Sequence, residues 1–258
     1  MIMNKTIANG FLRAVRSKGA KYYLAGTLAL ILLANIAVIC FRFIYGSNEG
    51  TFSYNVFEYA SWCFLIPYYS CILIGMIVLG KRSGSSDDDR SLNPALLYVS
   101  RLITAILLAA LFLVAAFVLL YVITTLFHLD EGFVLWGIVK SFLQKAALAL
   151  PLWFAGISFA MLFLQVCDKR VKAVLGFVVV TVIIPQAIRI LSLDSFKFEV
   201  ARTIRRYTIT QSFGLLPYPA YPERSPALIV TLGLVYGFIA LIIGVILFAK
   251  KQRRSDER

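Results

Sequence analysis

The chain has 258 residues, of which 60% are hydrophobic, and its mean hydropathy is +0.82. A soluble domain of this length does not need so apolar a composition, so the sequence excludes an ordinary soluble protein and predicts a membrane protein. The formal net charge of +13 would suit a nucleic-acid binder, but the basic residues are scattered among membrane-adjacent loops and chain ends. That distribution favours contact with anionic lipid headgroups over a nucleic-acid partner.

The first twenty residues predict a basic amphipathic helix. Ile7, Phe11 and Val15 recur at helical spacing and form an apolar stripe, while lysines and arginines surround them. Such a helix is expected to lie on the inner leaflet of a membrane. A disordered basic tail is the alternative.

Six runs are long and apolar enough to cross a bilayer as helices, since a hydrocarbon core of about 30 Å needs roughly 20 apolar residues. The alternation of a membrane β-strand is absent from them. We therefore predict an all-α membrane protein in which residues 1–258 form a single transmembrane domain. The predicted spans cover about 22–45, 59–80, 95–127, 143–166, 171–193 and 227–249.

The distribution of basic residues predicts the orientation of the spans. With six spans, both chain termini lie on the same side of the membrane. Segments on that side hold seventeen of the 26 lysines and arginines, and loops rich in these residues stay in the cytosol. Both termini are therefore predicted to be cytosolic.

Prolines and glycines inside the spans predict local irregularity and close packing. Pro67, Pro151 and Pro185 each remove a backbone donor and predict kinks. In the sixth span Gly233 and Gly237 form a Gly-x-x-x-Gly pair that lets another helix approach closely. We interpret this pair as a packing surface within the chain in preference to a dimer interface.

A short polar segment, 81–94, separates the second and third spans. Ser86 followed by Asp89 has the spacing of a capping box, and Asn93 before Pro94 is typical of a helix cap and first helical residue. A short cytosolic helix or tight turn is expected here. A solvated loop between helix caps is the alternative.

The predicted external loop 194–226 is the longest connection between spans. Within it Val200, Ile204 and Tyr207 share one helical face, and the opposite face is basic, with Arg202, Arg205 and Arg206. This pattern predicts a short amphipathic helix at the outer membrane interface.

Charged residues at the external boundaries of the spans are candidates for a translocation path, because charges near hydrocarbon are costly. Arg42 and Glu58 can pair across a short external loop, and Arg189 can face a central cavity. The alternative is snorkelling to the headgroups, which we favour for Lys140 and Lys145.

The sequence predicts no catalytic or metal-binding residues. The segment Gly75–Arg82 resembles a phosphate-binding loop, but Arg82 stands where a hydroxyl residue is needed and the segment ends a hydrophobic helix. Ser158 lies in an incomplete Gly-x-Ser-x-Gly pattern, and the only histidine, His128, is predicted near the external end of the third span. The cysteines lack the paired spacing of a zinc site.

The layout resembles the permease subunits of ABC type-2 exporters, particularly the compact six-span permeases of Gram-positive bacteria that accompany peptide-antibiotic and bacteriocin immunity pumps. The likeness rests on the amphipathic N-terminal helix, the polar stretch before the third span, the long outer segment and the basic end after 247–251. Leu96–Arg101 is similar to that family's Leu-rich segment ending in Ser-Arg. A shorter acidic stretch, Asp87–Ser91, stands where the family usually has a longer one with a Gly-Thr pair.

This resemblance implies an exporter of the bacterial cytoplasmic membrane that moves a hydrophobic or amphipathic substrate, such as an antimicrobial peptide. Its implied partners are a cytosolic ABC ATPase subunit, which would bind ATP and Mg²⁺, a second permease copy, identical or not, and membrane lipids. This chain itself would bind no cofactor. The resemblance implies that the ATPase docks on residues Arg82, Asp87, Asp88, Asp89, Arg90, Leu92, Tyr98 and Arg101, with Asp168 and Arg170 nearby. A secondary carrier or channel, or an intramembrane enzyme, is the alternative.

Overall fold

The computed structural model describes residues 2–45, 52–80, 93–127, 134–193, 198–216 and 225–256, and throughout these ranges the regular structure is helical, with no strand. We number the α-helices in chain order; a short π-helix, Val179–Ile183, joins α7 to α8. The helices are α1 Ile2–Val15, α2 Lys18–Tyr45, α3 Phe52–Trp62, α4 Leu65–Leu79, α5 Pro94–Phe127, α6 Trp136–Val166, α7 Arg170–Val178, α8 Ile184–Leu191, α9 Glu199–Arg206, α10 Ile209–Leu215 and α11 Pro226–Asp256.

Among the residues that the structure describes, five helical segments are long and apolar enough to cross a membrane, and a sixth is added if the bent pair α3–α4 counts as one span. The five are Lys18–Phe41, Pro94–Phe127, Trp136–Val166, Arg170–Leu191 and Pro226–Arg253. The prediction of a multi-pass helical membrane protein is therefore confirmed. The start of the third predicted span is also confirmed, because the Asn93 side chain accepts a hydrogen bond from the backbone N–H of Ala95 at 3.0 Å, directly before Pro94 opens α5.

The second predicted span, 59–80, is broken, because α3 and α4 meet at an angle of 55°. Pro67 lacks a backbone N–H and its ring crowds the carbonyl of Cys63, so the regular helix cannot continue through this point. That carbonyl instead accepts a bond from the N–H of Ile66 at 2.9 Å. The indole N–H of Trp153 in α6 donates to the Phe64 carbonyl at 3.0 Å. The break is thus stabilised by a neighbouring helix in a region where water is excluded.

The other two prolines are accommodated differently. The fifth span changes to a π-helix at Val179–Ile183, just before Pro185. Because proline has no backbone N–H, the regular α-helical hydrogen-bond pattern is interrupted there. The buried Thr181 hydroxyl donates to the Phe177 carbonyl at 2.7 Å within this segment. In contrast, α6 continues through Pro151 as one helix.

The two ends of the chain lie at the same end of the helix bundle. Helices α6 and α11 run parallel, because Gly233 meets Pro151 and, further along both helices, Lys251 donates to the Val166 carbonyl at 2.9 Å. The beginning of α2 lies beside the end of α4, where a Cβ atom on Gly19 would be 3.0 Å from Ile77. We call this the termini end; it holds α1, the starts of α2, α5 and α7, and the ends of α4, α6 and α11.

The bent pair α3–α4 runs from the opposite half of the bundle to the termini end. Phe57 and Phe64 pack against Phe142, in the first third of α6, with ring centroids 5.2 and 5.3 Å apart. At the other extreme, the α4 helix stops at Gly80, whose φ of 56° and ψ of −162° suit glycine alone. The Gly80 carbonyl accepts a hydrogen bond from the Arg170 guanidinium at the start of α7.

Helix α1 follows the predicted amphipathic pattern but lies against the bundle. Ala14 is 2% exposed and belongs to the same core as Tyr98, while Phe11 and Val15 pack around it. Gly10 faces Thr104 of α5, where an added Cβ would be 3.5 Å from the hydroxyl. Helix α1 therefore packs on α5 and α4, and part of its surface, such as Leu12, is left exposed.

The helix predicted in the long connection before the last span is present as α9, Glu199–Arg206, and a second helix that was not predicted, α10, follows it. The apolar side chains of α9 are exposed, with Val200 at 64% and Ile204 at 47%. Helix α10 is held to the bundle, since Phe213 is 3% exposed and packs on Tyr68 at a centroid distance of 5.3 Å. The connection thus returns over the bundle before α11.

Candidate functional site

Helices α6 and α11 come into close contact at positions where α11 carries glycine. We call this contact the α6–α11 seam. A Cβ atom on Gly233 would lie 2.5 Å from the Pro151 carbonyl carbon and 2.7 Å from the Leu152 nitrogen, so backbone meets backbone there. Gly237 faces the Phe154 ring, and further along α11 Gly244 faces the phenol of Tyr98 in α5. The Gly-x-x-x-Gly surface is therefore occupied by helices of the same chain.

At the termini end, α5 and α11 are joined through an aromatic contact. The Tyr98 and Phe248 rings lie 5.9 Å apart, and the Arg101 guanidinium carbon is 6.0 Å from the centre of the Phe248 ring. This is the outer limit of a cation–π interaction. Tyr98 is fully buried and Phe248 is 6% exposed.

The ends of α6 and α11 are joined through an ion pair. The Lys251 ammonium lies 2.6 Å from an Asp168 carboxylate oxygen, and the Asp168 side chain is 84% exposed. Because Lys251 also donates to the Val166 carbonyl, it caps α6 as well as pairing with the turn that follows. We call Tyr98, Arg101, Asp168, Arg170, Phe248 and Lys251 the termini-end cluster.

Four of the residues that the resemblance implies for ATPase docking fall in this cluster, namely Tyr98, Arg101, Asp168 and Arg170. The other six, Arg82, Asp87, Asp88, Asp89, Arg90 and Leu92, lie outside the described residues. Phe248 and Lys251 were not predicted as part of a site. Their sequence signal is the basic end after 247–251, which supports the family resemblance but names no site residue.

Glu58 at the opposite half of the bundle pairs with Lys145. The ammonium and carboxylate are 2.8 Å apart, with the Lys145 side chain 11% exposed and that of Glu58 29% exposed. The expectation that Lys145 snorkels to the headgroups is therefore wrong, because a carboxylate from α3 meets it inside the bundle. The side chain of Arg42, the partner expected for Glu58, lies outside the described part of the structure.

Arg189 lies on the exposed surface of α8, a helix with no buried residue. The single chain therefore does not enclose it in a central cavity, contrary to that expectation. Helix α8 packs against α9, and Arg189 lies on its exposed side.

Several buried polar atoms make no hydrogen bond within the described residues. They are Asn35 Oδ1, Thr124 Oγ1, Ser158 Oγ, the Tyr98 hydroxyl and both amide atoms of Gln165. Ser158 and Gln165 are seven residues apart and so share one face of α6. An unsatisfied polar group in an apolar interior is costly, which makes these positions weak points in an otherwise apolar bundle.

One consequence concerns the Tyr98 hydroxyl. We expect Tyr98→Phe to raise the free energy of unfolding by about 1 kcal/mol, because it removes a buried hydroxyl that has no partner and leaves the ring in place. Thermal unfolding of the detergent-solubilised chain measures this. The matched control is Tyr23→Phe, which removes a hydroxyl paired with the Ser70 hydroxyl at 2.8 Å and should lower stability. A loss of stability in both variants would contradict the assignment.

No group of three or more His, Cys, Asp or Glu residues that could hold a metal ion is found among the described residues. Ser158 is fully buried, and His128 lies outside the described ranges. The arrangement that the structure does assemble is a set of helix ends joined by side-chain contacts at one end of the bundle.

The fold and this cluster define a helical multi-pass membrane protein. No known family model matches the sequence, and no curated protein matches it either.

Proposed function

We propose that this chain is the membrane-spanning permease subunit of an ATP-driven exporter of the ABC type. A separate cytosolic ATPase subunit, which binds ATP and Mg²⁺, docks at the termini end. A second permease copy completes the assembly. The substrate is hydrophobic or amphipathic, such as an antimicrobial peptide, and it moves outward across a bacterial cytoplasmic membrane.

The observation that carries this proposal is the termini-end cluster. Residues from three separate parts of the chain meet at one face of the bundle: 98–101 near the start of α5, 168–170 at the α6–α7 turn and 248–251 near the end of α11. Two links join them, the contact of Tyr98 and Arg101 with Phe248 and the ion pair of Asp168 with Lys251. A partner that pushes on this face would act on α5, α6 and α11 together.

The exposed charges support a cytosolic termini end. Basic side chains that are exposed there include Arg13, Arg16, Lys18, Lys21, Lys169, Arg170, Lys172, Lys250 and Arg253. Lysine and arginine of this kind stay on the cytosolic side of a membrane. In the proposed topology α3–α4 is one crossing, so the chain crosses six times and begins and ends in the cytosol.

The proposed coupling runs through the α6–α11 seam. Closure of the ATPase subunits on ATP would displace the α6–α7 turn and the start of α5, and both are tied to the end of α11. Because Gly233 meets the Pro151 backbone, α11 and α6 move as a unit in the middle of the bundle. The ATPase must contact this face differently in its two nucleotide states, since a partner with equal affinity for both conformations shifts neither.

Charge reversal at Asp168 tests the docking face. Asp168 is 84% exposed, and exposed ion pairs contribute little to stability, so Asp168→Lys should fold normally. We expect it to lower the affinity of the purified chain for its ATPase about tenfold, because a rim charge on a docking surface sets association and specificity. Binding is measured by titrating purified ATPase onto the chain in nanodiscs.

The matched control is Lys140→Glu, a charge reversal at an exposed position of α6 far from the termini end. It should bind the ATPase as the wild type does. Equal binding by the Asp168→Lys variant and the wild type would contradict the docking face, and ATP hydrolysis by the chain alone would contradict a separate ATPase.

A secondary carrier is a second candidate, and the Glu58–Lys145 pair favours it. An ion-coupled carrier needs a carboxylate within the membrane, and Glu58 is partly buried and paired at 2.8 Å. Transport that continues in vesicles without ATP, and that Glu58→Gln abolishes, would favour the carrier. Transport that requires ATP and survives Glu58→Gln would favour the permease.

A further inference from the structure

A groove with a volume of about 420 Å³ opens at the termini end, where the start of α2 passes the end of α4. This is the size of many small-ligand sites. The residues that line it are Ser17, Gly19, Tyr22, Tyr23, Leu73, Met76, Ile77 and Gly80. Its walls are mostly aliphatic and aromatic, and of these residues none is acidic.

The groove has an apolar interior and a basic rim. Leu73, Met76 and Ile77 follow one another along α4, and Tyr23 is fixed on the opposite wall by its hydrogen bond to Ser70. At the rim, Lys18 lies between the lining residues Ser17 and Gly19 and is exposed. Arg170 reaches the groove from the other side, because its guanidinium donates to the Gly80 carbonyl.

The groove lies where the apolar spans meet their basic flanks. Tyr22 is 76% exposed at its mouth, and tyrosine is common at the level of lipid headgroups. An apolar slot at this depth suits an acyl chain, and ammonium and guanidinium groups at its mouth suit a phosphate. We propose that this groove binds one anionic phospholipid, with an acyl chain between α2 and α4 and the phosphate between Lys18 and Arg170.

This lipid site does not depend on the proposed ATPase partnership. It requires only that the termini end lies at a membrane surface. Binding to this groove would link the junction of α1 and α2 to the end of α4, and through Arg170 to the α6–α7 turn. The lipid would thus be a structural ligand of the termini end.

The test uses the full chain purified in nonionic detergent. Dioleoyl phosphatidylglycerol or dioleoyl phosphatidylcholine is added, and bound lipids are counted by native mass spectrometry. The two lipids share their acyl chains and differ in headgroup charge. We expect phosphatidylglycerol to bind saturably at one copy per chain and about tenfold more tightly than phosphatidylcholine, given one lysine and one arginine near the phosphate.

The apolar groove and its basic rim are tested by different substitutions. Leu73→Trp fills the groove and should weaken binding of both lipids at least tenfold. The control is Leu30→Trp, because Leu30 and Leu73 are both 49% exposed but Leu30 lies outside the groove; it should bind as the wild type does. Lys18→Gln changes one exposed residue and should reduce the preference for phosphatidylglycerol severalfold while leaving phosphatidylcholine binding unchanged.

Equal lipid binding by the Leu73→Trp and Leu30→Trp variants would overturn the proposal. So would a phosphatidylglycerol preference that is unchanged by the loss of Lys18, since either result would describe bulk lipid around the bundle. A chain that binds lipid as expected but never binds an ATPase would refute the proposed function and leave the lipid site intact.

Discussion

Gly233→Ala should destabilise the protein by about 3 kcal/mol and lower its melting temperature by about 10 °C. The new methyl group would lie 2.5 Å from the carbonyl carbon of Pro151 and 2.7 Å from the nitrogen of Leu152. Both are backbone atoms, so no side-chain rotation relieves the clash and the two helices must separate. Thermal unfolding of the purified chain in detergent measures the effect.

Gly26→Ala is the control for this substitution. Gly26 lies inside α2, and a Cβ atom there would meet nothing within 4 Å. Since alanine is the better helix former, this variant should melt at or slightly above the wild-type temperature. If the Gly233 and Gly26 variants melt together, the α6–α11 seam is not as close as the structure describes.

Breaking the Glu58–Lys145 pair should produce the second large effect. Glu58→Gln leaves a lysine that is only 11% exposed without its carboxylate. We expect a loss of about 2 kcal/mol, between the values for exposed and fully buried pairs. Unfolding measurements on the two single variants and on Glu58→Gln combined with Lys145→Gln form a double-mutant cycle, whose expected coupling energy is about 1 kcal/mol.

Lys140→Gln supplies the reference for this cycle, because Lys140 is an exposed lysine on the same helix. Its substitution should change stability by less than about 0.5 kcal/mol. Additive losses in the cycle would show that Glu58 and Lys145 do not interact, and the Lys145 side chain would then have to leave the bundle for the headgroups.

Hydropathy and helix caps predicted most of the helices correctly. The third predicted span begins at Pro94 as its Asn-Pro cap indicated, and the amphipathic patterns at both α1 and α9 correspond to helices. These features depend on residues that are close together in the sequence, so they can be predicted from the local sequence.

The features that sequence patterns missed depend on partners distant in the chain. The fourth span begins at Trp136, seven residues before its predicted start, because Lys140 and Lys145 interrupt the apolar run. One of these charges is neutralised by Glu58 on another helix. Similarly, Pro67 predicted a kink, but its size depends on Trp153, which supplies a donor at the break.

The candidate site was predicted only in part, because some of its contacts also join residues that are distant in the chain. Tyr98, Arg101, Asp168 and Arg170 were implied by resemblance, whereas Phe248 and Lys251 join them only because α11 packs parallel to α6. That packing depends on Gly233 and Gly237, which the sequence marked as a close-contact surface without naming its partner.

The side of the membrane on which each terminus lies tests the account most directly. In a chain without its native cysteines, single cysteines replace Asn4 and Arg253, two exposed positions in α1 and α11. A membrane-impermeant thiol reagent should label neither in intact cells and both in inverted membrane vesicles. Labelling of one position, but not the other, from outside the cell would mean that α3–α4 does not cross the membrane, and the cytosolic termini end with its docked ATPase would be contradicted.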